Sequence, residues 1–148
     1  LLGDRAAVAE VMDGFMERAA KEISQALPTI KSGSYAGGPR VPDLAHHADA
    51  EKSDRALAYA RLASGCRSFA AAASFGASNK EALDEISVML QSYTEGLLKE
   101  LRTVSGEKRT NAEAYFHLAA EIYALVFSQE EADLLRRRAK AAMPPIAA

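Results

Sequence analysis

Tryptophan is absent from these 148 residues, and cysteine occurs once, at Cys66. A lone thiol excludes an intrachain disulfide framework and any multi-cysteine zinc cluster, and it fits a reducing intracellular compartment. No stretch approaches the roughly 18 consecutive apolar residues of a membrane-spanning helix. The sequence therefore reads as soluble. Neither sign of charge is in excess, since 18 Lys and Arg against 20 Asp and Glu leave a net −2. Polyanion binders draw affinity from many phosphate contacts and show a basic excess, so nucleic acid is not expected as a main ligand. Apolar and polar residues alternate over no useful length, which gives no basis for strands. Glycine-rich phosphate loops, Gly-x-Ser-x-Gly elbows and His-Glu-x-x-His zinc helices are missing, and catalysis has no anchor without them. No cofactor is implied. The opening Leu1-Leu2-Gly3-Asp4 lacks methionine and reads as a processed form or a piece of something longer, so the missing targeting signal is uninformative.

What the chain does contain is helical punctuation. Ser78…Glu81, Thr110…Glu113 and Ser128…Glu131 each put a hydroxyl three positions ahead of a glutamate, just before an apolar-periodic run. In that spacing the hydroxyl accepts from an orphan N–H of the first turn and the glutamate reaches back, so each pair predicts a helix start. Ahead of them, Asp4 can cap a helix in which Val8, Val11, Met12, Phe15, Ala19, Ile23 and Leu27 recur at three- and four-residue steps until Pro28. The stretch from about 29 to 41 has turn residues and no period, and predicts a flexible, cleavable loop. A short helix from Pro42 and an alanine-rich helix from Ser53 or Asp54 to about Gly76 follow. The segment after Ser78 carries Leu83, Ile86, Leu90, Tyr93, Leu97, Leu101 and Val104 on one face, with Gly106 as its stop. A helix from Thr110 and another from Ser128 to Pro144-Pro145 complete the pattern. The expectation is one all-α domain spanning 1–148, a bundle of about five helices.

One internal echo suggests two related helical units: Asp13-Gly14-Phe15-Met16 and Glu95-Gly96-Leu97-Leu98 each sit in a long helix. Glycine inside a helix costs about 1 kcal/mol against alanine, and close approach of two helices at Gly14 and Gly96 would account for both.

Asp43, His47 and Glu51, and again Glu113, His117 and Glu121, form carboxylate–histidine–carboxylate series at four-residue steps. On helices each series lines one stripe, and two facing stripes could hold a metal. The spacing is not the Glu-x-x-His of bundle metal sites, and a helical wheel puts His117 opposite the core face, so a solvated or partner-facing strip is the plainer reading. Adjacent His46 and His47 would point about 100° apart. Cys66 shares a face with Leu62, Phe69 and Ala73 and reads as a small core thiol rather than a nucleophile.

The helix after Thr110 is apolar around most of its girdle, with Phe116, Tyr123 and Phe127 on one side of the polar strip and Leu118 and Leu125 on the other. That circumference predicts cover by a protein partner or by a second copy of the chain. Arg102, Lys108, Arg109, Arg136, Arg137, Arg138 and Lys140 gather positive charge near helix ends, where it favours the macrodipole by about 0.3–1 kcal/mol each. No aromatics are interleaved to stack bases.

From Cys66 to Ala141 the outline of short helix, tight loop, long helix from Asn79 to Ser105, a Lys108-Arg109-Thr110 loop, short helix and C-terminal helix resembles the histone fold of transcription-factor subunits. The resemblance implies a handshake dimer paired through the basic-Thr loop, and a chromatin or transcription role. The reading from the residues is a non-catalytic helical interaction module or assembly subunit. A metal-binding bundle and a histone-like subunit are the alternatives.

Overall fold

A computed structural model of the chain describes residues 2–32 and 39–144. Among the described residues there are five α-helices: α1 (Leu2–Ala26), α2 (Ala50–Gly65), α3 (Gly76–Leu101), α4 (Gly106–Val126) and α5 (Gln129–Ala142). The expected all-α bundle is what forms. Glu22 lies 3.7 Å from Arg55, and the Phe15 and Tyr59 rings are 6.3 Å apart, which sets α1 and α2 antiparallel. The four-residue link after Leu101 turns α4 back along α3, and the two-residue link after Val126 turns α5 back along α4. α1 packs on α2 and α3, while α4 packs on α2, α3 and α5. Ring order is thus α1–α2–α4–α3, with α5 laid against α3 and α4. Because α2 and α3 are diagonal neighbours, the chain between them crosses the end of the bundle, and residues 66–74 do so as successive turns.

The core is where the period places it. Ile23, Ile86, Leu90, Leu97, Leu101 and Ile122 are completely buried, with Ala56, Ala60 and Ala63 letting α2 approach closely. Two buried asparagines tie elements together. Asn79 Nδ2 donates to the Ala63 carbonyl (2.8 Å), and Asn111 Nδ2 donates to the Leu44 carbonyl (2.9 Å).

The structure corrects several boundaries. Two short strands do exist, β1 (Thr29–Lys31) and β2 (Arg40–Pro42), paired antiparallel with Ile30 opposite Val41. Three residues per strand are too few for a period to register. Residues 33–38 of the expected loop, and Pro145, lie outside the described residues. No helix follows Pro42; residues 43–49 run as an irregular strap. α2 starts after Asp49, whose carboxylate accepts from Lys52 N (2.9 Å), and it ends at Gly65 rather than near Gly76.

Of the three hydroxyl–glutamate pairs only Ser128 caps: its hydroxyl accepts from Glu131 N (3.1 Å). Ser128→Ala should cost about 1 kcal/mol, measured by chemical denaturation, and an unchanged midpoint would refute the cap. Ser78 lies inside α3 and donates instead to Asp13 Oδ1 (2.6 Å). Thr110 lies inside α4 and donates to the Gly106 carbonyl (3.3 Å). α4 begins four residues earlier because Gly106 takes φ +62, a left-handed conformation glycine adopts without steric cost. Gly106 is therefore the start of α4, not the stop of α3. Lys108-Arg109-Thr110 are helical rather than looped, and α4 is 21 residues long, so neither the loop nor the second short helix of the histone-like outline is present.

The glycine echo does not hold structurally. A Cβ on Gly96 would lie 2.8 Å from Pro42 Cδ, whereas one on Gly14 would meet nothing within 4 Å. Gly96 admits the hairpin, not another helix.

Candidate functional site

The two carboxylate–histidine series are not brought together. Asp43 and His47 sit on the strap and Glu51 on α2, so the first series is not a helical stripe at all. Asp43 Oδ1 accepts from Ala45 N (3.1 Å), closing a local turn that starts the strap. The second series does line the outside of α4, but its members pair locally. Glu113 takes a hydrogen bond from Arg109 (3.1 Å), and His117 Nε2 lies 2.7 Å from Glu121 Oε1. Asp43 and His47 border one hollow, Glu113 and His117 another. Among the described residues no three His, Cys, Asp or Glu side chains are placed to share a metal ion.

The residues expected to form a partner surface on α4 divide. Phe116 and Leu118 are buried inside the chain itself, because α4 is clasped by α2, α3 and α5. That corrects their assignment to an outer surface. Tyr123, Leu125 and Phe127 stay half-buried, with the Tyr123 and Phe127 rings 4.4 Å apart.

The basic residues are partly committed to carboxylates. Arg138 grips Glu95 through two bonds (2.8 and 3.1 Å), Arg136 pairs with Asp133 and Arg109 with Glu113. The Arg138 guanidinium holds the Glu95 carboxyl below its usual range. Arg102, Lys108, Arg137 and Lys140 are exposed. Cys66 is buried, and desolvation pushes its thiol pKa up, which suits a core residue and disfavours a thiolate.

Apolar surface is exposed where the sequence led us to expect core. Val8 and Val11, one helical turn apart on α1, are 56% and 58% exposed, and Phe69 in the crossing turns is 50% exposed. Pairing of Phe15 with Tyr59 and Glu22 with Arg55 puts the C-terminal end of α2 opposite about residue 10 of α1. The first turns of α1 therefore extend past α2, and Gly3 to Val8 are all exposed.

Several ionisable side chains surround a hollow of about 300 Å³ between the end of α1, the strap, the start of α2 and α4. Asp43, His46, His47, Asp49, Lys52 and Tyr115 border it. α4 holds the strap over it by two side-chain bonds to backbone carbonyls, Asn111 to Leu44 and Tyr115 Oη to His46 (3.0 Å). Tyr93 of α3 does not border the hollow; it is 4% exposed, and its hydroxyl is buried with no hydrogen-bond partner among the described residues. Burial chiefly, then the neighbouring Tyr115 and Asp43, drive its pKa far up. Of this group only Asp43 and the His46-His47 pair stood out in the sequence. Tyr93 read as one more core aromatic, and nothing local marks its hydroxyl as unpaired.

No helix among the described residues is long and apolar enough to cross a membrane. Compared with protein families, with curated proteins and with solved structures, the chain shows no match.

Proposed function

We propose that the chain is a non-catalytic helical module that binds another protein, a second copy of itself being the first candidate. The observation behind this reading is the bare apolar strip of α1. Two valines a turn apart, each more than half exposed on a helix that outruns its neighbour, leave apolar area in water that a partner helix could remove. Burying the exposed part of each valine, a little over half of the side chain, would contribute about 1–1.5 kcal/mol. The half-buried Tyr123, Leu125 and Phe127 are a weaker second contact.

Native mass spectrometry of the intact chain tests this. The expected result is a dimer or higher species that reverts to monomer when Val8→Asp and Val11→Asp are combined. The change should shift the melting temperature little, because both side chains face water within the subunit. A wild-type monomer overturns self-association. Photo-crosslinking from position 11 then decides between a different protein partner and none, and absence of any adduct overturns the module reading itself.

A further inference from the structure

The outer side of α1 reads symmetrically about Val11. Asp4, Val8, Val11, Phe15 and Arg18 follow one another at four- and three-residue steps, so they lie on one face of the helix, beside the face that buries Met16, Ala19 and Ile23. Asp4 precedes Val11 by seven residues and Arg18 follows it by seven, close to two turns in each direction. Val8 and Phe15 stand one turn away on either side. The face thus runs from a carboxylate through three apolar side chains to a guanidinium.

These groups are open to a partner. Val8 and Val11 are more than half exposed, Asp4 and Arg18 are exposed, and Phe15 is half-buried against Tyr59 of α2. Among the described residues neither Asp4 nor Arg18 is ion-paired, and Glu22, the next carboxylate along this face, is engaged by Arg55. The Arg18 guanidinium lies 5.2 Å from the centre of the Phe15 ring, so its charge leans over the apolar strip.

We propose that two copies of the chain pair through this face with their α1 helices antiparallel, on a two-fold axis at Val11. The inference rests on the self-association reading above and adds the orientation and the residues that set it. The two-fold brings Val11 against Val11 of the second copy and Val8 against Phe15 of the second copy. Asp4 then lies opposite Arg18 of the second copy, and the symmetry makes that ion pair twice. Parallel pairing would instead set Asp4 on Asp4 and Arg18 on Arg18, and like charges placed opposite one another repel. A face with opposite charges equidistant from an apolar centre is therefore complementary to itself in the antiparallel orientation alone. One helix per subunit, in contact over about four turns, buries less than the roughly 1,200–2,000 Å² of a standard interface. The pairing is accordingly expected to be concentration-dependent, with a dissociation constant on the order of micromolar.

Sedimentation of the full chain over a concentration series at low ionic strength measures the dimerisation. Asp4→Arg and Arg18→Asp should each weaken it about fivefold or more, since each reverses two contacts per dimer, and the combined variant should return to within about twofold of wild type. A change in helix stability at Asp4 cannot produce that rescue, because the combined variant lacks Asp4 as well. Val11→Cys should give a disulfide-linked dimer under mild oxidation and Lys21→Cys should not, because the bond needs Cα atoms within about 7 Å. The native Cys66 is buried and does not compete. A dimer that dissociates with Val8→Asp and Val11→Asp, yet shows no rescue by the combined charge swap or links through Lys21→Cys as readily as through Val11→Cys, overturns the antiparallel pairing and leaves the module reading standing. A wild-type chain that stays monomeric at every concentration overturns both the pairing and self-association.

Discussion

Truncating Leu90 to alanine is expected to lower the stability of the fold by about 2–5 kcal/mol. Leu90 is fully buried at the middle of α3, the helix that packs against α1, α4, α5 and the hairpin. Removing its side chain forfeits the transfer free energy of the lost methyl groups and opens a cavity. Rigid helices on several sides cannot all move in to close it. In a domain of this size each kcal/mol corresponds to about 2–4 °C, so thermal unfolding followed by circular dichroism should fall by roughly 4–20 °C. Val88→Ala, on the same helix but at a side chain 69% exposed, should change stability by no more than about 0.5 kcal/mol. Equal responses at the two positions would mean that α3 is rotated from the placement described.

The same helix shows what the sequence could disclose. Leu83, Ile86, Leu90, Tyr93, Leu97 and Leu101 recur at the helical period, and all six are buried. Period is a property of one segment, so it survives whatever the neighbours do. Placement of the other elements depended on neighbours. Val8 and Val11 follow the same rule as Ile23, yet they face water: α2 ends before reaching Val8, and Val11, alongside the last turn of α2, is still 58% exposed. Phe116 and Leu118 gave α4 more apolar girdle than one contact needs, and the excess is used by three helices of the same chain. The hydroxyl–glutamate spacing was equally ambiguous. A serine within a helix can find another acceptor, as Ser78 does in Asp13, a residue 65 positions away that no local pattern indicates. The hollow beside the strap is assembled from the end of α1, the strap, α2 and α4, so its members share no spacing. Only the two adjacent histidines and Asp43 could draw notice beforehand.

Gly14→Ala and Gly96→Ala are expected to move stability in opposite directions, although both replace a glycine inside a long helix. At Gly14 a new Cβ meets nothing within 4 Å, so the substitution should give the helix-propensity gain alone, about 1 kcal/mol. At Gly96 the same Cβ would lie 2.8 Å from Pro42 Cδ and 3.1 Å from Cγ. A proline ring is closed on its own backbone and cannot swing aside as the end of a flexible chain would. Pro42 is further restrained because β2 pairs with β1, with Thr29 opposite Pro42. Overpacking of this kind costs about 1–3 kcal/mol, enough to cancel the propensity gain or exceed it. Gly96→Val, with two more carbons and a β-branch, should cost more still. Urea denaturation of the three variants beside wild type makes the comparison, and a Gly96→Ala protein stabilised as much as Gly14→Ala would show that the hairpin does not rest on α3. The effect should also be directional. Asp43 follows Pro42 and begins the strap, so pushing Pro42 off α3 moves the rim of the hollow, and the His46 and His47 resonances should shift in the Gly96 variants but not in Gly14→Ala.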